Sequence, residues 1–578
     1  MIPTGSSVAR TALPPTSLSP TSLPLYAYAL LALIAAALFL PGFTVLPPFD
    51  RDEARFAQAS SQMLDSGNYV DIRFQDETRY KKPVGIYWLQ SAATAAADAL
   101  RGIPAGDGKV IWTYRIPSFL GAILAVLASA WTAARLFGGP AGFVAGLMLA
   151  SCVVLGVEAR MAKTDAVLLA TVVLGQAALA QLYLTRRDPA PAGRAAWTAP
   201  LVFWIAAGVG VLVKGPMVLL VSGSTVLMLA VWDREAGWLK RLKPLAGLAI
   251  VAAIAAPWLV AIAIKSKGAF FAESVGHDML GKVSGGQEGK GLPPGYYLGT
   301  FWVTFGPWSL LALLAVPWVW ARRRLETVRF CIAWIVPSWL VFEAVPTKLL
   351  HYTLPVFPAI AALAAAALLD RFGRDPARNS GPRRWLVAVA VALGVIGFGA
   401  LTLAVALIPW LVDRRIDPVA VSLVPAVGGL FALALRSLLR AELRTGLAAG
   451  LAAAALLYAG TYAAVLPNID GVWVSRQAAR AVAQNRPCPD SVVAAAGYSE
   501  PSLVFLLGTP TRLVHGPGAA AHLAADRACG LALVEDREAA SFLDSLGTAV
   551  PLPLADLSGF NYNTGRRLHL TLYRLPAS

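Results

Sequence analysis

The chain has 578 residues, 57% of them hydrophobic and only 14% charged, with a mean hydropathy of +0.61. That composition excludes a large soluble core and indicates an integral membrane protein. The formal charge of +16 does not indicate a nucleic-acid partner, because a DNA-binding face is a local basic stripe on a polar chain. Here most of the excess falls in short loops between apolar spans.

Residues 1–24, rich in Pro, Ser and Thr, read as a flexible lead-in. The apolar run Leu23 to Val45 is too long for a signal-peptide core and lacks a small-residue cleavage site, so it reads as a first transmembrane helix. A loop from Leu46 to Lys109 follows. Within it, Asp52 to Leu64 carries helical periodicity and ends on Ser66-Gly67, as expected of a short helix lying in the interface. Pro83 to Leu100 reads as a second interfacial helix, with Tyr87 and Trp88 at headgroup depth. Further apolar spans begin near Ile111, Ala141, Ala166, Leu201, Pro216, Leu245, Leu298, Phe330, Tyr352, Trp385, Val419 and Leu447. With the first, they predict about thirteen crossings of roughly 20 residues each.

Basic residues set the orientation. Alternate connections carry Arg186, Arg187 and Arg194; Lys240, Arg241 and Lys243; Arg322 to Arg324; Arg371, Arg374, Arg378, Arg383 and Arg384; and Arg436, Arg440 and Arg444. These are the expected cytoplasmic loops, with the N-terminus on the same side. From Asn468 the composition changes. Gln477 to Asn485 reads as a helix, Ser491 to Ala496, Leu531 to Val534 and Leu568 to Tyr573 as strands, and Leu503 to Leu507 as helix or strand. The expected organisation is a membrane domain over 25–466, containing the first outer loop at 46–109, and a soluble α/β domain over 467–578. Cys488 and Cys529 fall in that domain, on the expected extracytoplasmic side, where they can form a disulfide or remain thiols. Cys152 and Cys331 lie in apolar spans and read as small buried hydrophobes.

Unusual charges on the expected outer face are Asp50, Asp52, Glu53, Arg55, Lys81, Lys82, Glu158, Arg160, Lys163, Asp165, Lys214, His277, Lys348 and His351. A solvated face accounts for any one of them. It accounts less well for Asp165 and Lys214, since an ionised side chain at mid-helix depth costs at least ~2.5 kcal/mol. Acids and bases converging on one membrane face suit a site that handles a phosphate and a hydroxyl. Asp52 opens a helix and is the candidate base, although capping alone would also place Asp there. Glu53 can complement the helix dipole. Lys82 precedes Pro83 at a helix start, where its ammonium and free backbone amides can meet a phosphate, or where it can simply snorkel. His277 and His351 lack the spacing of a metal pair. Tyr296-Tyr297 and Trp302 form an aromatic belt or line a lipid groove.

Several of these segments resemble the aminoarabinose transferase and protein mannosyltransferase family. They are Phe49-Asp-Arg-Asp-Glu-Ala-Arg-Phe-Ala57, Met63 to Gly67, Lys82 to Leu89, Glu158-Ala-Arg-Met-Ala-Lys-Thr-Asp165, Val213-Lys-Gly-Pro216, Pro346 to Pro358 and Tyr498 to Phe505. The resemblance implies a GT-C fold of about thirteen transmembrane helices with a small periplasmic domain. It also implies inverting transfer from a polyprenyl (undecaprenyl) phosphate sugar to lipid A, another glycolipid or a protein at the outer face of the bacterial inner membrane. By motif, Asp52 becomes the essential carboxylate, Asp165 a second acid near the donor phosphate, and Lys82 the phosphate-facing lysine. Glu53, Arg55, Lys81, Lys214, Tyr297, Lys348 and His351 join as binding residues. The family's usual Glu-Lys-Pro is Lys81-Lys82-Pro83 here, which removes an acid that ligands a divalent metal in some relatives and leaves His277 without that partner. A polyprenyl-lipid flippase would share the many helices and buried charge.

Overall fold

Within a bilayer no water satisfies the backbone, so apolar runs close their hydrogen bonds as helices. The computed structural model describes residues 22–284, 291–373 and 384–576, and it is mostly helical. The lead-in to residue 21 and the arginines 374, 378 and 383 lie outside the described residues. Among those described, nine helices are long and apolar enough to cross a membrane. A tenth unit is the pair Tyr296–Thr304 and Ser309–Arg322, bent by 118° where Gly306-Pro307 interrupts the hydrogen-bond ladder. The helices Leu25–Phe39, Gly139–Ala150 and Met217–Asp233 are apolar but shorter. The thirteen crossings expected from the sequence therefore correspond to helices of three kinds, and the expected single span from Leu298 is broken.

The helices form an inner and an outer layer. Asp165–Leu184 and Leu354–Phe372 are 83% and 72% buried over their most apolar windows, whereas Pro244–Lys265, Arg384–Asp413 and Pro418–Leu439 are 22–28% buried and present their apolar sides outward. Asp165–Leu184 packs closely on Ile111–Phe137: a Cβ on Gly121 would lie 3.0 Å from the Val167 backbone, so a small residue sets the approach.

One buried ion pair fixes the first loop to this bundle. Arg115 sits near the start of Ile111–Phe137 and is fully buried. Its guanidinium donates to both Glu53 oxygens, at 2.8 and 3.0 Å, and to the carbonyls of Phe43, Leu46 and Pro47 at 2.9–3.0 Å. Glu53 also accepts the backbone N–H groups of Phe49 and Ala162, each at 2.8 Å. Every strong donor and acceptor in this knot has a partner, the condition under which a buried charge pair is tolerated. Glu53, expected at the substrate, is thus spent on holding the loop.

The loop helix runs Asp52–Ser66 and ends on Gly67 in the left-handed region (φ +66°). Nine of its 15 residues are buried, because it lies between the bundle and the C-terminal domain rather than open at the interface. The second helix, Gly85–Leu100, corrects another expectation. Trp88 is exposed, but Tyr87 is fully buried against Phe56 with ring centroids 5.3 Å apart.

The C-terminal region folds into a five-stranded sheet: β1 Val493–Ala496, β2 Arg512–Val514, β3 Leu531–Glu535, β4 Leu552–Asn561 and β5 Arg566–Arg574. The order is β2-β1-β3-β5-β4, with β1 parallel to β2 and β3, and β5 antiparallel to β3 and β4. Pro501–Leu507 is a helix, and helices Gly516–Ala525 and Asp536–Leu546 flank the sheet. Cys488 and Cys529 form a disulfide, with Cα atoms 5.4 Å apart. Cys152 and Cys331 are buried free thiols.

This region clamps the loop. The Asp50 N–H donates to the Tyr562 hydroxyl at 2.7 Å, the Ser502 N–H donates to Asp50 Oδ1 at 3.2 Å, and Phe49 packs edge-on against Trp473. Gln58 and Gln75 donate to the Thr509 hydroxyl and carbonyl at 2.9 and 3.0 Å. Replacing Glu53 with Ala leaves the Arg115 charge buried without its counter-ion, so a loss of ~3–5 kcal/mol of stability is expected. Thermal unfolding of the purified variant in detergent checks this.

Candidate active site

Two helix ends of opposite polarity meet at one end of the bundle. Asp165 is the first residue of Asp165–Leu184, where a helix dipole favours an anion, and Lys214 is the last residue of Ala195–Lys214, where it favours a cation. The Lys214 ammonium bonds Asp165 Oδ1 at 2.5 Å. The turn before Asp165 adds Lys163, whose ammonium donates to Glu158 Oε1 at 3.0 Å and lies 4.0 Å from Asp165 Oδ2. His351 places Nδ1 3.4 Å from Glu158 Oε1 and Nε2 3.4 Å from Asp165 Oδ1. Tyr352 presents its ring 5.4 Å below the Lys214 ammonium. Glu158 Oε2 is buried without a hydrogen-bond partner among the described residues.

Asp52 faces this cluster. Arg51 provides the helix cap at φ +66°, a strained conformation for a residue with a side chain, so Asp52 is the first helical residue rather than the cap. Burial works to raise the Asp52 pKa, but the fields of Lys163 and Arg79 outweigh it and hold the carboxyl below its ordinary value. The side chain is nevertheless accessible. Asp52 therefore stays ionised at neutral pH and open to an incoming group. Burial pushes His351 down to about 3, so its imidazole is neutral at physiological pH.

Lys82 lies beside the cluster, at the start of the segment leading into Gly85–Leu100. Its ammonium bonds Asp278 Oδ2 at 2.6 Å, and Lys282 bonds the other oxygen at 2.7 Å. Burial, with the Lys282 charge adding to it, lowers the Lys82 pKa to about 8, and Lys214 acts in the same direction from the neighbouring cluster. Two lysines share one carboxylate here, which leaves excess positive charge for an anion.

Asp52, Asp165, Lys82, Lys214 and His351 thus share one end of the bundle. Other expected site residues lie elsewhere. Lys348 is buried and donates to the carbonyls of Phe342, Glu343 and Val345 at 3.3, 2.7 and 2.9 Å, closing the end of helix Glu326–Ala344. Its protons are spent there, which corrects the expected binding role. Tyr297 is buried against that ammonium, 5.4 Å from ring centroid to Nζ. Lys81 is exposed, and Arg55 is half-buried one turn beyond Asp52. His277 adjoins Asp278 in Ala272–Leu280.

Sequence reasoning missed Arg79, Arg115, Asp278, Lys282 and Tyr352 as contributors. Arg115 had a signal, a lone arginine inside an apolar span. Asp278 and Lys282 had one too, an i,i+4 pair beside His277. Glu158, Asp165 and His351 bring three potential ligand atoms within 4.8 Å of one another. Both carboxylates are already bonded to lysine ammoniums, so a dication would face two fixed cations, and the set does not fit a divalent metal. The grouping of Cys488, Asp490 and Cys529 offers no thiolate, because its cysteines form the disulfide.

The family model described as dolichyl-phosphate-mannose-protein mannosyltransferase matches residues 81–260. An undecaprenyl phosphate-alpha-4-amino-4-deoxy-L-arabinose arabinosyl transferase of Aeromonas salmonicida is 28% identical over 381 residues, 64% of this chain and 64% of the relative. A second such transferase, from Pseudomonas fluorescens, is 26% identical over 66% of this chain and 70% of its own. The chain thus spans a little under two thirds of the first relative's length. Among solved structures, ArnT from Cupriavidus metallidurans bound to undecaprenyl phosphate aligns with a TM-score of 0.69 at 20% identity, over 95% of this chain and 97% of that one. The Archaeoglobus fulgidus oligosaccharyltransferase in its apo form aligns at 0.52 and 12% identity, over 88% and 69%. The GT-C-like fold and the family resemblance read from the motifs are borne out.

With Lys82 near pH 8, anion binding at this site is expected to weaken as pH rises through about 8, because only the protonated ammonium attracts a phosphate. Titrating inorganic phosphate binding between pH 6 and 10 checks this, and Lys82→Arg should move the falling limb upward.

Proposed function

We propose that this relative of the aminoarabinose transferases is a bacterial inner-membrane glycosyltransferase. In this reading it moves a sugar from undecaprenyl phosphate to a lipid A-type glycolipid, with inversion. The observation that carries the reading is an accessible, ionised Asp52 set beside lysines that can receive a phosphate. Asp52 takes the proton of the acceptor hydroxyl as its oxygen attacks the anomeric carbon. The bond from that carbon to the phosphate oxygen breaks, its electron pair goes to the phosphate, and Lys82, with Lys214 behind it, stabilises the departing dianion. Asp165 fixes Lys214, and the neutral His351 sits between Asp165 and Glu158 with one N–H to donate to one of the two carboxylates. Glu53 and Lys348 position the backbone, Tyr297 packs beneath the Lys348 ammonium, and Arg55 and Lys81 are candidates for acceptor contact at the rim.

The same reading places the N-terminus and the basic loops in the cytoplasm, and the site and the 467–578 domain in the periplasm. Two features support it. The Cys488–Cys529 disulfide suits an oxidising compartment, and Arg186, Arg322 and Arg329 gather at the bundle end remote from Asp52.

Asp52→Asn keeps the shape of the side chain and removes the base. Transfer is expected to fall by roughly 100-fold or more, with folding and membrane insertion unchanged. Reconstitution with an undecaprenyl phosphate sugar and lipid A, read by mass spectrometry, measures both the loss and the acceptor. Full activity in the variant removes the role, and a sugar mass appearing on protein rather than on lipid reassigns the acceptor.

A further inference from the structure

A groove of about 800 Å³ opens at the bundle end opposite Asp52, between the last turns of Ile111–Phe137 and Asp165–Leu184 and the first turns of Ala195–Lys214. Its deep wall is apolar, with Leu174 and Ala178 on one side and Val202 on the other. From Leu174 to Thr185 the wall is about 16 Å long at the helical rise. One leaflet's share of the hydrocarbon core is roughly 15 Å. The groove therefore has the depth of a single acyl chain.

Its mouth is cationic. Arg135, Lys240, Arg241 and Lys243 line it, and no lining residue is Asp or Glu. Neutral groups hold three of these side chains in place. Arg135 donates to the Gln181 amide oxygen at 2.6 Å, Arg241 to the carbonyls of Thr185 and Asp188 at 2.7 and 2.8 Å, and the Lys243 ammonium lies 3.7 Å from the centre of the Trp197 ring. Three other basic residues at this end are matched to acids: Arg186 to Glu326 at 2.7 Å, Arg322 to Asp370 at 2.9 Å, and Arg329 to Asp233. Among the described residues, none of the four groove cations makes an ion pair. Four cations without an acid partner thus sit where a chain-shaped apolar slot meets headgroup level.

We propose that this groove is a binding site for an anionic glycerophospholipid of the leaflet opposite the active site. One acyl chain lies against Leu174, Ala178 and Val202, and the phosphate is met by Arg135, Lys240, Arg241 and Lys243. Charge complementarity selects the occupant, since a zwitterionic lipid would fill the slot equally well but bring no net charge to four unneutralised cations.

The test uses the full-length protein, delipidated in detergent and titrated with phosphatidylglycerol, phosphatidylcholine or inorganic phosphate. Native mass spectrometry reads retained lipid, and thermal unfolding reads the stability gained. Phosphatidylglycerol is expected to bind and to raise Tm, with binding weakened roughly tenfold or more in the Arg135→Gln/Lys240→Gln/Lys243→Gln variant. Val202→Trp keeps every cation, narrows the slot, and is expected to lose the lipid as well. Equal binding of phosphatidylcholine, equal stabilisation by inorganic phosphate alone, or undiminished phosphatidylglycerol binding in both variants would overturn the proposal. These readouts are independent of sugar transfer, so they stand or fall apart from the assigned reaction.

Discussion

The buried Arg115–Glu53 pair is the constraint from which the site's geometry follows. A guanidinium removed from water is costly unless all of its donors are met, and here carbonyls from the segment after the first helix and both oxygens of Glu53 meet them. The same carboxylate collects amides from Phe49 and from Ala162. Three chain segments are thereby fixed to a single point, with Asp52 next to it in sequence and Lys163 next to Ala162. The acid and the lysine that tunes it are neighbours because they adjoin the two ends of one knot.

Electrostatics then sorts the remaining groups into roles. Acids and ammoniums alternate through the cluster: Glu158 with Lys163, Asp165 with Lys214, and Asp278 with Lys82 and Lys282. Pairing offsets the cost of burying each charge near a membrane. It also leaves a contrast between groups that are satisfied and groups that are not. Asp52 is exposed at the start of its helix, and the Lys82–Lys282 pair carries one more positive charge than its carboxylate can balance. Chemistry is expected at such places, where a charge is held in position without being used up.

Much of this was legible in the residues. Membrane class, helix positions to within a few residues, the helical stretch from Asp52 and the strands at Val493, Leu531 and Arg566 all follow from periodicity and length. Other elements gave weaker signals. The edge strand Leu552–Asn561 carries Pro553, Asp556 and Gly559, which an edge tolerates and a pattern search rejects. Glu53 and Lys348 read as site residues because charge near a membrane looks functional. Only three-dimensional contacts reveal that one is saturated by Arg115 and the other by helix-terminal carbonyls. Tyr87 was misplaced for a related reason, since an aromatic at the interface and an aromatic under a loop look alike in one dimension.

The clamp between Asp50 and Tyr562 joins positions 512 residues apart in sequence. The backbone that presents Asp52 is therefore closed by the turn between β4 and β5 of the C-terminal region. A displacement of the C-terminal domain is thus transmitted to Asp50 and, two residues on, to Asp52, so that domain sets how firmly the carboxylate is held.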